Sequence, residues 1–362
     1  MISHTVLPDS ISTLSPAMVC FRRHGFRVWL VAFYACWLAV MSLGGFWGTA
    51  RDHWPVAVAM AGGSITAGST PVAGGTVGFP VLVYVFSRPA RLGCDFSLAI
   101  QSVGMVSASL FILTRGRLID WRMLKFALLG TVIGTPLGSI ALAPILNDAT
   151  VKTMFAVLYA SFGLLHLFRM RQLVARDGPS PVCYRGDPWL AVSVGLMGGM
   201  LASVIGVGAD MLLYGMLVLL YRTDIRVAIP TAVIQMACTS LLGLGTRLIL
   251  GLISSQEVSL LAEVLPYWLA AAPVVVLGGP VGTIVSRHIP RVVLLTFVSI
   301  LCVAQYAWTC LQQNFNATQM FWATVSVGVL SLLLHLMFLH GQRALGQQIK
   351  LCASDHLKPS GP

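Results

Sequence analysis

Ten apolar stretches, separated by short polar segments, run along the chain at 28–47, 55–86, 96–113, 124–146, 151–168, 189–221, 227–251, 262–286, 292–311 and 320–340. A bilayer core takes about 20 helical residues per crossing. Most stretches therefore predict one transmembrane helix each. The exceptions are 55–86 and 189–221, which are too long for a simple crossing. The first of them reads VAVAMAGGSITAGSTPVAGGTVGFPVLVYVF over 56–86 and holds six glycines and Pro71. An interior Gly costs a helix about 1 kcal/mol against Ala, and a Pro about 3 kcal/mol. In a bilayer the freed backbone groups must also find partners in protein or in a water-filled cavity. Each broken stretch predicts a helical hairpin, either re-entrant or made of two short crossings.

Charge decides how the hairpins are placed. With the N-terminus inside and both broken stretches returning to the side they leave, the inside loops collect most of the basic residues. These include Arg22, Arg23 and Arg27, the 115–125 group, the 169–185 group, Arg222 and Arg226. Arg51, Arg88, Arg91, Lys152 and Arg247 stay outside. Treating the broken stretches as single crossings puts the 115–125 group outside, against the positive-inside rule. The reading that follows is a cytoplasmic segment 1–27, a flanking helix 28–47, a first repeat 55–168 and a cytoplasmic linker 169–187. A second repeat 189–311, a flanking helix 320–340 and a cytoplasmic tail 341–362 complete it.

Composition agrees with this class. The 362 residues are 57% hydrophobic and 10% charged, where soluble domains carry about 25% charged residues. The formal charge of +11 fits loops that face anionic lipid. No aromatic-interleaved basic patch or zinc-finger spacing points to nucleic acid. The eight cysteines are scattered and form no CxxC pair, so they read as small hydrophobes. His166, His288, His335 and His340 show no metal-ligand spacing, and nothing calls for a cofactor.

The second half repeats the first. A shift of 131 residues brings Gly68 onto Gly199, Gly75 onto Gly206, Arg91 onto Arg222 and Met105 onto Met236. One residue further in register, Thr114-Arg115 meets Thr246-Arg247, and later Thr135-Pro136-Leu137-Gly138 meets Gly279-Pro280-Val281-Gly282. In the charge-derived topology one copy starts outside and the other inside. The fold expected is an all-α polytopic membrane protein of two inverted-topology repeats, each led by a Gly/Pro-broken hairpin, with flanking helices. Secondary transporters are built this way, with a binding site near the midplane.

Ala73-Gly74-Gly75-Thr76-Val77-Gly78-Phe79-Pro80-Val81-Leu82 resembles the Gly-rich, Pro-terminated signature of the TauE/SafE family of sulfite exporter-like permeases. So does Ile205-Gly206-Val207-Gly208-Ala209-Asp210, followed by Leu219-Leu220-Tyr221-Arg222-Thr223-Asp224 and Ala228-Ile229-Pro230-Thr231. Asp210 interrupts the second glycine run, and Tyr214 stands near the expected Pro. The resemblance covers roughly 55–310. It implies two homologous four-segment halves and a small inorganic or organosulfur anion, such as sulfite or a sulfonate, as the transported partner.

The residues suit that chemistry. A helix N-terminus exposes unpaired N–H groups and carries about half a positive charge, and glycine lets backbone approach a ligand closely. The expected substrate-binding groups are the backbone at Gly74, Gly75 and Thr76 and at Gly206, Val207 and Gly208, with hydroxyls including that of Ser203. Gln101 and Gln235 lie in apolar runs and offer hydrogen bonds to substrate or between helices. Gly62, Gly63, Gly198 and Gly199 are expected to serve close helix packing. Asp210 is read as the one carboxylate deep in the membrane, where such a group is costly and functional; it is the candidate for proton coupling. Arg91, Arg115, Arg222 and Arg247 are candidates for anion-attracting vestibules, against a plain anchoring role. The function expected is a secondary transporter, an exporter by the resemblance, in the cell membrane. A passive anion channel is the alternative, and a homo-oligomer is compatible with either. An intramembrane enzyme has less support, because the sequence holds no HExxH, Walker motif or Asp-rich pair.

Overall fold

The computed structural model describes residues 16–70, 75–174, 187–253, 255–312 and 317–356. They are helical, with no strand among them. A first helix, α1 (Pro16–Leu43), and a short α2 (Trp47–Asp52) lead into α3 (Trp54–Ser69). After the break comes α4 (Gly75–Pro80), which continues as a π-helical turn over Val81–Val85. Two long helices follow, α5 (Ala90–Thr114) and α6 (Trp121–Leu137), the latter extended by a π turn over Gly138–Leu142, and then α7 (Asp148–Val174). The order then recurs. A long α8 (Asp187–Ile205) is followed by a break, α9 (Ala209–Gly215) and a π turn at Met216–Leu220. Next are α10 (Ile225–Gly251), α11 (Ser255–His288), α12 (Arg291–Gln312) and α13 (Ala317–His356).

Nine of the described helices are long and apolar enough to cross a membrane. The chain is a multi-pass integral membrane protein. α5 and α10 are buried along most of their length, while α1 and α13 are largely exposed at the periphery. α1 begins at Pro16 and α13 continues to His356, so both flanking helices extend beyond the apolar runs 28–47 and 320–340. Helical hydrogen bonding is intrasegment and needs no hydrocarbon to continue. Residues 175–186 of the expected linker lie outside the described residues.

Both broken stretches are hairpins that return to the face they leave. At the ends of the first, the His53 ring lies 4.7 Å from that of Tyr267 and Arg88 Nε donates to Tyr267 Oη at 2.9 Å. At the ends of the second, Tyr221 Oη donates to Asp187 at 2.6 Å. Each returning arm is too short to cross: seven helical and five π residues in the second reach only about 18 Å at 1.5 Å per residue, against about 30 Å of hydrocarbon. The arms fold tightly because glycine lines the seam. A Cβ on Gly63 would sit 2.8 Å from Val77 Cβ, and one on Gly198 would sit 2.9 Å from the Cα of Ala209. Gly199 faces Thr135 of α6, whereas Gly62 packs on nothing.

The halves interlock. α6 packs along α8 and α11 along α3. Notional Cβ atoms on Gly130, Gly134 and Gly195 would lie within 2.1 Å of backbone oxygens across the α6–α8 seam. Gly68 and Gly282 make the same kind of contact between α3 and α11. At the centre α5 and α10 run antiparallel. Asp95, near the start of α5, pairs with Arg247, near the end of α10, and Leu98 packs on Gly243.

The two hairpins are offset by more than the 131-residue shift. Val81 and Met216, which open the two hairpin π turns, are 135 residues apart. The four-residue difference is close to one turn of 3.6 residues. Shifting a helix by a turn keeps small residues on the same face, so the shorter register still pairs Gly68 with Gly199 and Gly75 with Gly206.

Candidate anion site where the two hairpins meet

The two hairpin tips meet beside α5. Gly75, the first residue of α4, is buried against the second tip: a Cβ there would lie 2.2 Å from Val207 Cγ1, 3.0 Å from Gln101 Nε2 and 3.1 Å from the Gly206 oxygen. Only a residue without a side chain fits. Gly206 (φ +78°) and Gly208 (φ +119°) turn the second break through backbone conformations that other residues rarely adopt. Gly74 lies outside the described residues, as does the side chain of Thr76.

Gln101 ties the second tip to α5. Its Nε2 donates to Ser97 O at 2.9 Å and to Gly206 O at 2.8 Å. Both partners are carbonyls, which fixes the orientation of the amide. Its Oε1 is buried without a partner among the described residues. Gln235 on α10 is placed similarly: Nε2 donates to Thr131 Oγ1 at 3.3 Å, and Oε1 is again unpartnered. Gln101 also lines a cavity of about 10 Å³ with Ser64, Gly104 and Gly279. That is no more than one water needs, so this cavity between α3, α5 and α11 is too small for a substrate anion.

The second tip already uses much of its own donor capacity. Gly206 N–H donates to Ala202 O at 2.9 Å, and Gly208 N–H donates to Asp210 Oδ1 at 3.3 Å. Asp210 is 2% exposed. Its carboxylate sits at the N-terminus of α9, where helix dipole and N–H groups favour negative charge. Ser203 is buried, but its hydroxyl donates to Met200 O at 2.7 Å and lies against Gly138 of α6.

The arginines divide. Arg115 is exposed over the Phe111 ring at 5.1 Å, and Arg91 is half-buried in the first turn of α5. Arg222 is buried over Phe338 at 4.5 Å, with φ +56°. Arg247 is buried too. Its Nε lies 3.0 Å from Asp95 Oδ1, both side chains are 1% exposed, and its Nη2 donates to Ser203 O at 3.1 Å. Asp210 is therefore not the one deep carboxylate. Asp95 is hard to see as deep from sequence, because it stands one residue before the apolar run 96–113. Its signal was a basic residue, Arg247, inside the otherwise apolar run 227–251. His166, which lacks metal-ligand spacing, nevertheless lies in the core. It is fully buried, with Nδ1 donating to Phe162 O at 2.8 Å and Nε2 facing Tyr214 Oη of the second hairpin at 3.3 Å.

This geometry accords with the comparison to known families. The family model described as sulfite exporter TauE/SafE matches residues 55–308, from the first hairpin through most of α12. The chain belongs to the TauE/SafE family. No curated protein matches it, and no solved structure does. TauE/SafE is a family of transporters, and membership supports passage of sulfite-like anions across the membrane. Among the described residues no group of three or more His, Cys, Asp or Glu is placed to hold a metal ion. The match takes in both hairpins and the antiparallel α5 and α10, and leaves α1 and α13 outside it.

Proposed function

We propose that this TauE/SafE protein is a secondary transporter that exports small sulfur-containing anions, sulfite or sulfonates, by alternating access about the hairpin tips. The observation that carries this reading is the contact of Gly75 with Gly206 and Val207, bridged by Gln101. Two broken elements, each returning to its own face, approach one another beside the central helices. The antiparallel packing of α5 on α10 supports reading the halves as inverted repeats. Backbone N–H groups at Gly74, Gly75 and Thr76 supply donors that replace the hydration shell of the anion, and Val207 closes the tip opposite them. Asp210 exchanges a proton as substrate moves: protonated, it releases the Gly208 N–H and lowers the negative charge at the second tip. Arg91, Arg115 and Arg222 draw anions toward the two mouths. The basic loops 115–125 and 222–226 face the cytoplasm by the positive-inside rule, which supports cytoplasmic termini, and a cell-membrane location goes with the exporter reading.

The close approach of Gly75 to Val207 and Gly206 favours a carrier over a passive channel, because an ion passes that contact only when the hairpins move. The test is sulfite flux in proteoliposomes with and without a pH gradient. Saturable flux that responds to pH in wild type, is lost in Gly75→Leu and no longer responds to pH in Asp210→Asn is the expected result. Non-saturating flux points to the channel instead. Absence of sulfite flux from folded protein overturns the substrate assignment, and thiosulfate, sulfonates and carboxylates are then the anions to try.

A further inference from the structure

A second polar feature lies beside the first hairpin, away from the tip contact. Gly68, in the last turn of α3, lines a crevice of about 30 Å³ with Arg117, Arg226, Thr283 and Ser286. The arginines come from different elements. Arg117 belongs to the loop between α5 and α6, and its guanidinium is anchored by donating to Thr283 O. Arg226 is in the first turn of α10 and is exposed. Among the described residues no carboxylate lines the crevice. The two nearest in sequence serve as helix caps: Asp224 accepts from Arg226 N–H at 2.9 Å, and Asp120 accepts from Met123 N–H at 3.1 Å.

We infer that this crevice is a loading site for a small oxyanion, which passes from here to the hairpin tips. The inference rests on the transport reading above. Guanidinium groups present planar, permanently charged donors that match oxyanion geometry. Two of them, brought from α10 and the α5–α6 loop to one cavity, compensate the water an anion must shed. Thr283 and Ser286 donate their hydroxyls to Pro280 O at 2.8 Å and Thr283 O at 3.0 Å, and each hydroxyl can rotate toward a bound oxygen. Size narrows the ligand. The cavity has room for about two waters, so it accepts a compact oxyanion or the head of a short sulfonate and leaves no space for an aromatic ring. Its wall includes Gly68, seven residues before Gly75, so an anion held there is already beside the first break. On the opposite face the deep arginine, Arg247, is paired with Asp95.

The test is sulfite binding to the purified full-length protein by calorimetry, together with sulfite uptake into membrane vesicles of both orientations. The variants are Arg117→Gln, Arg226→Gln, Arg226→Lys and Lys125→Gln; Lys125 is an exposed cation of the same face that does not line the crevice. Thermal unfolding without sulfite controls for folding. Each Gln variant is expected to weaken sulfite binding about tenfold, the order expected for one charge-assisted hydrogen bond. Arg226→Lys should recover part of the loss, and Lys125→Gln should bind as wild type does. In vesicles the KM should rise only in the orientation that presents residues 115–120 to the medium. An equal loss in Lys125→Gln reduces the effect to general surface charge and overturns the site. So does wild-type binding unchanged by both Gln variants, or no binding by wild type. Should vesicles carry no sulfite while the purified protein binds it through Arg117 and Arg226, the transport reading fails and the crevice stands.

Discussion

The two hairpins share a backbone plan and differ in charge. Each is a long helix, a break and a short arm ending in a π turn. Beside the first break lies an open crevice with two arginines. Beside the second, the corresponding positive charge is cancelled: Arg247 is locked to Asp95, and the chain's own Asp210 sits at the N-terminus of the short arm. The crevice beside the first break thus gathers two arginines from other elements, while the second hairpin carries a carboxylate of its own. The π turns add a second contrast. The first follows Pro80, whose ring and missing N–H disrupt the regular ladder. The second has no proline, and α13 presses on it instead, with Gly341 packed so closely that a Cβ would lie 2.3 Å from Leu219 O. One distortion is set by a residue inside the arm, the other accompanies packing from outside.

Breaking the Asp95–Arg247 pair should have the largest effect. Asp95→Ala leaves Arg247 buried without its carboxylate and should cost about 3–5 kcal/mol of stability. Replacing both partners by apolar residues, as in Asp95→Leu with Arg247→Met, should restore most of that loss. Thermal unfolding in detergent reads both. If the single and double variants are equally unstable, the pair is not the source of the cost. Next is the tip contact. Gly75→Ala forces its Cβ into Val207 and should destabilise by about 1–3 kcal/mol. Val207→Ala removes the offending Cγ1, so the double variant should recover both stability and flux. Without recovery, Gly75 is needed for its backbone and not for the close approach.

The sequence carried the hairpins because their cause is local. Glycines and Pro71 inside a 31-residue apolar run can be read directly, and charge on the flanking loops says which way the run returns. The packing roles of Gly63, Gly198 and Gly199 were legible for the same reason. The site was less so. Asp95 and Arg247 are 152 positions apart, and nothing local says that antiparallel packing of α5 on α10 joins them. Arg117 and Arg226 resembled topology anchors, since a positive loop residue looks the same whether it faces lipid headgroups or a cavity. The Gly206 and Gly208 N–H groups were expected to face the ligand, yet both bond within their own hairpin. Such internal satisfaction depends on φ and rotamer, which residue types do not specify.

The glutamines test the centre at a smaller scale. Gln101→Leu removes the donor that satisfies Gly206 O inside the protein and should cost about 1–3 kcal/mol. Gln235→Leu breaks one long bond to Thr131, whose hydroxyl keeps its partner at Ala127 O, 3.0 Å away. Its cost should be about 0.5–1 kcal/mol. Equal costs, measured by thermal unfolding, would mean that Gln101 does not hold the second tip to α5.

The finest comparison is between the tyrosines of the short arms. Tyr84, in the first π turn, bonds Thr309 Oγ1 at 2.8 Å, which fastens that arm to α12. Tyr214, on α9, faces His166 Nε2 at 3.3 Å, at the long end for a hydrogen bond, though its ring stacks on the imidazole. Tyr84→Phe should therefore cost about 1 kcal/mol and Tyr214→Phe about 0.5 kcal/mol or less. His166→Phe should be better tolerated than His166→Ala, because the ring, more than the nitrogen, fills the space between α7 and α9. If Tyr214→Phe is the costlier variant, the His166 bond is stronger than its length suggests. The second hairpin is then held by a polar link to α7 as well as by apolar packing, and the contrast between the two arms narrows.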